Sequence, residues 1–111
     1  MKAMKRVLGV VLGVAAAVGG VNAHAMDAAA AKALAAQKAC LGCHAVDKKI
    51  VGPSYQEVAA KYKGMAAKDL ASSIKAGGSG KWGAIPMPPQ PTLSDVEAET
   101  LAAWVLAGAP N

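Results

Sequence analysis

The chain contains two cysteines, and their placement constrains the fold more than any other feature. They are separated by two residues and followed at once by a histidine, in the run Cys40-Leu41-Gly42-Cys43-His44. In such a C-x-x-C-H pattern the thiols can form thioethers with the two vinyl groups of one porphyrin, and the imidazole can ligate its iron. The run therefore predicts one covalent haem c, attached through Cys40 and Cys43, with His44 as an axial ligand.

Three other kinds of site use similar residues. A redox-active dithiol belongs beside a βαβ pattern, and the sequence has no convincing strand. A structural zinc site needs four ligands, and Cys40, Cys43 and His44 supply three. A disulfide across two residues closes too short a loop to stabilise much, and it makes no use of His44. Haem c is the favoured interpretation.

The N-terminus has the layout of a secretory signal peptide. Basic residues come first, an apolar stretch follows and an A-x-A run ends it: Lys2, Lys5 and Arg6, residues 7–18, then Ala23-His24-Ala25. The apolar stretch is shorter than the roughly 20 residues of a membrane-spanning helix. We expect residues 1–25 to be a signal peptide cleaved after Ala25, which predicts a periplasmic protein. An uncleaved anchor is the alternative.

Cleavage leaves residues 26–111, and these 86 residues make one small domain. Nine lysines face seven acidic residues there, so the net charge is +2 and nucleic-acid binding is not indicated. The segment has 21 alanines, 14 leucines, isoleucines and valines together, and no phenylalanine. A core this thin needs a cofactor or a cross-link to stay folded, which supports the haem prediction.

Capping residues and apolar spacing predict four helices and no sheet. Asp27 precedes a helix over 28–37, and Ser54 opens a capping box for a second helix that ends near Gly64. A third helix over 67–76 places Leu70 and Ile74 on one face and stops at Gly77-Gly78. Ser94 opens a second capping box, and the apolar spacing of the fourth helix follows at Leu101, Trp104, Val105 and Gly108. The first and last helices should cross, with Trp104 meeting alanines of the first. The fold class is all-α.

No second histidine follows the leader, so a second axial ligand must be methionine or, less commonly, lysine. The candidates are Met26, Met65 and Met87. Met87 stands in Ile85-Pro86-Met87-Pro88-Pro89-Gln90-Pro91, where four prolines fix φ and stiffen the loop. A stiff loop loses little entropy when a weak thioether ligand binds. We predict Met87 as the ligand; a Pro-rich linker is the alternative, and Met26 and Met65 suit loop or core positions.

Four segments together resemble the short bacterial class I cytochromes c, periplasmic electron donors to nitrite reductase and terminal oxidases. They are C-L-G-C-H at 40–44, V-G-P-S-Y at 51–55, G-K-W-G-A-I-P-M-P-P at 80–89 and L-A-A-W-V-L at 101–106. The resemblance implies a class I cytochrome c fold wrapped around one haem. It also implies that the Pro53 carbonyl accepts a hydrogen bond from His44 Nδ1, and that Trp82 lies along the haem and donates to a propionate.

The chain departs from that family pattern at three places. The first helix offers Leu34 and Ala35 where relatives often have an aromatic residue, and Ser73 stands where relatives can place a cation. Gln90 replaces a frequent asparagine, which leaves open whether its amide contacts the Met87 sulfur.

With both axial positions filled, the iron can only change oxidation state, so we predict an electron carrier and not an enzyme. The expected partners are a cytochrome-reducing complex and a terminal oxidase or nitrite reductase; we expect a monomer with no stable membrane insertion. The alternatives are an open-iron haem enzyme or sensor, and a haem subunit of a membrane oxidase or reductase.

A carrier needs an exposed haem edge where partners dock. We expect an apolar rim flanked by lysines, formed by Leu41, Gly42, Ile50, Ala84, Ile85 and Pro86 with Lys38, Lys48, Lys49 and Lys81. Apolar contact with flanking charge suits brief, salt-dependent encounters. Lysines that only solubilise the surface are the alternative.

Overall fold

The structure, a computed structural model, describes residues 27–111; the predicted signal peptide and Met26 lie outside the described residues. The described segment contains four α-helices, one short 3-10 helix and no strand: α1 (Ala28–Gln37), the 3-10 helix (Cys40–Gly42), α2 (Tyr55–Lys61), α3 (Ala67–Ala76) and α4 (Asp95–Leu106). The all-α prediction is confirmed. None of the helices within residues 27–111 is long and apolar enough to cross a membrane.

Side-chain caps begin three of the helices, as the sequence predicts. The Asp27 carboxylate accepts from the N–H of Ala30 at 3.0 Å, so α1 begins at Ala28. At α4 both bonds of the capping box form between Ser94 and Glu97. At α2 the Ser54 hydroxyl accepts from the N–H of Glu57, which is one half of the predicted box. Each cap satisfies backbone donors that the first helical turn leaves without partners.

Helix α2 is shorter than predicted, because it ends at Lys61 and not near Gly64. A turn follows in which the N–H of Met65 donates to the Tyr62 carbonyl at 2.9 Å. Gly64 lies inside this turn with a φ of 86°, a conformation that favours glycine. Gly64 was predicted to mark the end of α2, whereas it lies in the turn that follows the helix.

Helix α4 packs against the other three helices and contributes more buried residues to the core than any other helix. Leu101 and Trp104 of α4 are buried, and α1 contributes Ala31 and Ala35, which are fully buried in the same cluster. Small side chains at the interface let the backbone of α1 come close to α4. The indole N–H of Trp104 donates to the Pro110 carbonyl at 2.8 Å, so its one polar group is satisfied. The predicted contact between the first and last helices is confirmed.

Candidate cofactor site

A large cavity opens beside the core, bounded by the cysteine motif, α2, α3 and the loop that joins α3 to α4. Its volume of about 770 Å³ falls in the range of roughly 300–1,000 Å³ typical of small-molecule and cofactor pockets. All six site residues predicted from the sequence line it: Cys40, Cys43, His44, Pro53, Trp82 and Met87. Met65 does not line the cavity and packs against the hydrophobic core.

The local backbone explains how the motif faces this cavity. Ala39 takes a left-handed φ of 61°, and the 3-10 helix follows at once. The N–H groups of Cys43 and His44 both donate to the Cys40 carbonyl, at 3.2 and 3.0 Å. This tight turn places both thiols and the imidazole at one wall. Neither sulfur forms a disulfide, and burial raises the pKa of the Cys40 thiol.

Three contacts hold the His44 ring. The Nδ1 atom lies 2.7 Å from the Pro53 carbonyl oxygen, which is the contact that the resemblance implies. Because a carbonyl only accepts, Nδ1 carries the proton and Nε2 is left for a metal. Gly52 lies directly against the ring: a Cβ there would come within 2.5 Å of Cε1. Tyr55 stacks on the ring with 5.3 Å between centroids.

Tyr55 connects the imidazole to the core. Its ring and the Trp104 ring lie 5.2 Å apart in an edge-on arrangement, so Tyr55 packs between His44 and the buried Trp104 of α4. Burial, together with nearby Cys40, raises the pKa of the Tyr55 hydroxyl and keeps it neutral. Neither Gly52 nor Tyr55 was predicted to contact His44, although both stand in the V-G-P-S-Y segment.

Met87 is held by the end of α3. Its N–H donates to the Gly78 carbonyl at 2.8 Å, and the Gly78 N–H donates back to the Met87 carbonyl at 3.0 Å. A second tie lies beyond the prolines, where the N–H of Gln90 donates to the Lys75 carbonyl at 2.9 Å. The prolines stiffen the loop, but these three hydrogen bonds fix where it stands.

The Gln90 side chain bonds within the same loop. Its amide nitrogen donates to the Pro88 carbonyl at 3.1 Å. The Ser73 hydroxyl, at the position where relatives can have a cation, donates to the Asp69 carbonyl of its own helix at 3.4 Å. Both residues line the cavity, and neither brings a charge to it.

Trp82 forms another part of the cavity wall and contacts two residues at the end of α2. The Tyr62 ring meets it edge-on at 5.9 Å. The Lys61 ammonium lies 4.2 Å from the indole centroid and donates to the Lys81 carbonyl at 2.7 Å. The contact of Lys61 with Trp82 was not predicted, because no local sequence signal links two residues that are 21 positions apart.

The rim expected around the cavity is exposed. Leu41, Ile50 and Ile85 are 39%, 49% and 66% exposed, high values for large apolar side chains. Lys38, Lys49 and Lys81 line the cavity, whereas none of the acidic residues in the described part of the chain does. Of the other expected rim residues, Ala84, Ile85 and Pro86 line the cavity, whereas Leu41, Gly42, Ile50 and Lys48 do not. The part of the rim that lines the cavity is therefore apolar and carries three lysines.

Fold and site together define a class of protein. This is a small all-α domain whose C-x-x-C-H turn and methionine loop, residues 85–91, face one cofactor-sized cavity, as in a c-type haem protein. The chain belongs to the cytochrome c family, whose family model, described as cytochrome c, matches residues 28–109. This decides for haem c against the dithiol, zinc and disulfide alternatives.

Similar proteins agree with this assignment. The chain is 63% identical over 71 residues to cytochrome c-551 of Azotobacter vinelandii, covering 62% of this chain and 85% of the relative. It is 46% identical over 106 residues to cytochrome c-551 of Stutzerimonas stutzeri, covering 94% and 98%. The crystal structure of wild-type Nitrosomonas europaea cytochrome c552 matches with a TM-score of 0.66 and 48% identity, over 69% of this chain and 98% of that one. The protein is a small electron-transfer haem protein and not an enzyme.

Proposed function

We propose that this protein is a periplasmic carrier that moves one electron at a time between respiratory redox proteins, with the haem iron held between His44 and Met87. The observation that carries the proposal is that His44 and Met87 line the same cavity and that each is held by its own rigid support. Bound haem c supplies a metal that changes oxidation state by one electron.

The residues fit that cofactor. Cys40 and Cys43 both line the cavity and form no disulfide with each other, so both sulfurs suit thioether bonds to one haem. His44 presents Nε2, because its Nδ1 proton is donated to Pro53, and such a bond also raises the basicity of the ligating nitrogen. Of the two methionines within the described residues, Met87 lines the cavity and Met65 does not. The ligand set is therefore one imidazole and one thioether, the pair that raises potential in electron-carrying cytochromes.

Rigid support of both ligands favours electron transfer over catalysis at the iron. An open-iron enzyme needs a free coordination position where substrate binds, and acid–base groups beside it. Here the bridge between Gly78 and Met87 keeps the methionine loop in place, and among residues 27–111 the cavity lining contains no carboxylate and no histidine besides His44. Ligands that stay bound in both oxidation states keep the reorganisation energy small.

The rim supports transient docking to an acidic partner. Exposed Leu41, Ile50 and Ile85 offer apolar contact, and the lysines around the opening supply long-range attraction. In line with the family resemblance, the proposed donor is a cytochrome-reducing complex and the proposed acceptor a terminal oxidase or nitrite reductase. Export by residues 1–25 with cleavage after Ala25, and a monomeric state, belong to the same proposal.

Replacing the proposed sulfur ligand tests the function. In oxidised Met87→Ala the weak long-wavelength sulfur-to-iron absorption band should vanish, cyanide or imidazole should bind readily, and the potential should fall because thioether no longer favours the ferrous state. Met65→Ala is the matched control and should change none of these. A band that survives in Met87→Ala and is lost in Met65→Ala would show that the sulfur ligand is Met65 and not Met87. A band that survives both substitutions would leave Met26 as the ligand, and a wild-type protein that lacks the band would contradict methionine ligation.

A further inference from the structure

Trp82 forms part of the haem cavity wall, yet its own backbone does little to hold it there. It lies in a four-residue turn closed by one hydrogen bond, from the N–H of Gly80 to the Gly83 carbonyl at 2.8 Å. Both glycines have positive φ, 98° and 117°. A turn with a glycine at each end and a single internal bond can pivot, so the orientation of Trp82 depends on contacts from elsewhere.

Those contacts come from the last residue of α2 and the one after it. The Lys61 ammonium lies over the indole face at 4.2 Å, while its N–H donates to the Lys81 carbonyl at 2.7 Å. The same side chain thus grips the turn twice, through the ring and through the backbone. Tyr62 meets the indole edge-on at 5.9 Å and completes the support.

We propose that Lys61 is a positioning residue that clamps the Trp82 turn against α2, closes this wall of the haem cavity and so sets the reduction potential. Lys61 does not line the cavity itself, whereas Lys81 and Trp82 do, so it acts through them. This proposal rests on the electron-carrier function above.

The link to potential is solvent access. Oxidised haem carries one more positive charge than reduced haem, so water that reaches the cavity stabilises the oxidised form and lowers the potential. A turn released from Lys61 leaves a gap on the Trp82 side. Lys61 also contributes its own positive charge, and the experiment must separate the two effects.

Three variants of the haem-loaded protein make that separation. Lys61→Met keeps the length of the side chain and removes its charge and its N–H. Lys63→Met removes the same charge from an exposed lysine two residues further along. Lys61→Arg keeps a cation that stacks on an indole and donates to a carbonyl. Potentials are measured at high salt, where exposed charges are screened.

Hydrogen exchange at the Gly80 amide reports on the turn directly. Lys61→Met should speed this exchange by about tenfold, the shift expected from losing one exposed cation–π contact and one hydrogen bond. Exchange at the Gly78 amide, bonded to Met87, should stay unchanged. The potential of Lys61→Met should lie below that of Lys63→Met, and Lys61→Arg should restore both readouts.

Equal potentials and equal Gly80 exchange in Lys61→Met and Lys63→Met would overturn the clamp. So would failure of Lys61→Arg to restore them. Neither result would contradict the proposed electron-carrier function. That proposal is contradicted instead if the wild-type protein shows no reversible one-electron transition.

Discussion

Replacing Gly77 with alanine should displace Met87, the proposed sulfur ligand, from the iron, although the two residues are ten positions apart in sequence. Gly77 ends α3 with φ 64° and ψ −160°, a region essentially restricted to glycine. A Cβ at this position would lie 2.7 Å from the Pro88 carbonyl carbon and 2.8 Å from the Pro89 nitrogen, and closer still to the Met87 carbonyl oxygen. All of these are backbone atoms of the methionine loop, so no side chain can turn aside.

The magnitude follows from two terms. Forcing alanine into this backbone conformation costs about 1–3 kcal/mol, and overpacking adds about 1–3 kcal/mol. Ordinary contact begins at 3.4 Å, so the loop must retreat by at least about 0.7 Å. Metal–ligand distances tolerate only about 0.2 Å. We therefore expect Gly77→Ala to lose about 2–6 kcal/mol of unfolding free energy and most of the sulfur-to-iron band.

Gly64→Ala is the matched control, because Gly64 also has positive φ, at 86°, but no atom lies within 4 Å of a Cβ built there. It should lose about 1–2 kcal/mol from backbone strain alone and keep the band. Denaturant unfolding and the oxidised spectrum give both readouts. The reasoning is refuted if Gly77→Ala keeps the full band and loses no more stability than Gly64→Ala.

Three further predictions concern folding, docking and pH. Without haem, Cys40→Ala/Cys43→Ala should show little helix by far-ultraviolet circular dichroism, because the core holds few large aliphatic side chains; a cooperative melt would contradict this. The association rate with an acidic redox partner should fall as salt rises, and Lys48→Glu/Lys49→Glu should slow it by about tenfold at low salt; a rate that ignores both changes would leave only apolar contact. The hydrogen bond from Lys75 lowers the pKa of the Asp95 carboxyl in the folded protein. The pair therefore stabilises the fold above the unfolded carboxyl pKa of about 3.9, and this stabilisation is lost as pH falls through the lower folded pKa. The melting temperature of Asp95→Asn should therefore decline less than that of wild type between pH 6 and pH 2, and equal declines would count against the pair.

Most of the secondary structure was predictable because its signals are local. The ranges predicted for α1 and α3 match the structure at both ends. The signals lie next to the helices, because Asp27 caps the start of α1 and Gly77-Gly78 follows the end of α3 directly. The end of α2 was predicted wrongly, because a glycine in a turn and a glycine after a helix look alike in sequence. Local chemistry also explains why the C-x-x-C-H motif identified the cofactor.

The supports of the site could not be predicted in the same way. Gly77 and Gly78 meet Met87 across ten and nine residues, and Lys61 meets Trp82 across 21. Such contacts depend on how α2 and α3 pack, and no spacing rule reports that packing. Met87 itself was singled out by its prolines, but the hydrogen bonds that position its loop emerged only from the fold.

A redox titration of the mature haem-loaded protein, with the absorption spectrum recorded at each potential, tests the central claim most directly. We expect one reversible one-electron transition, with the sulfur-to-iron band present whenever the iron is oxidised and unaffected when imidazole is added briefly at low concentration. An oxidised protein that lacks the band and binds imidazole at once would contradict it, since its iron would be open to substrate.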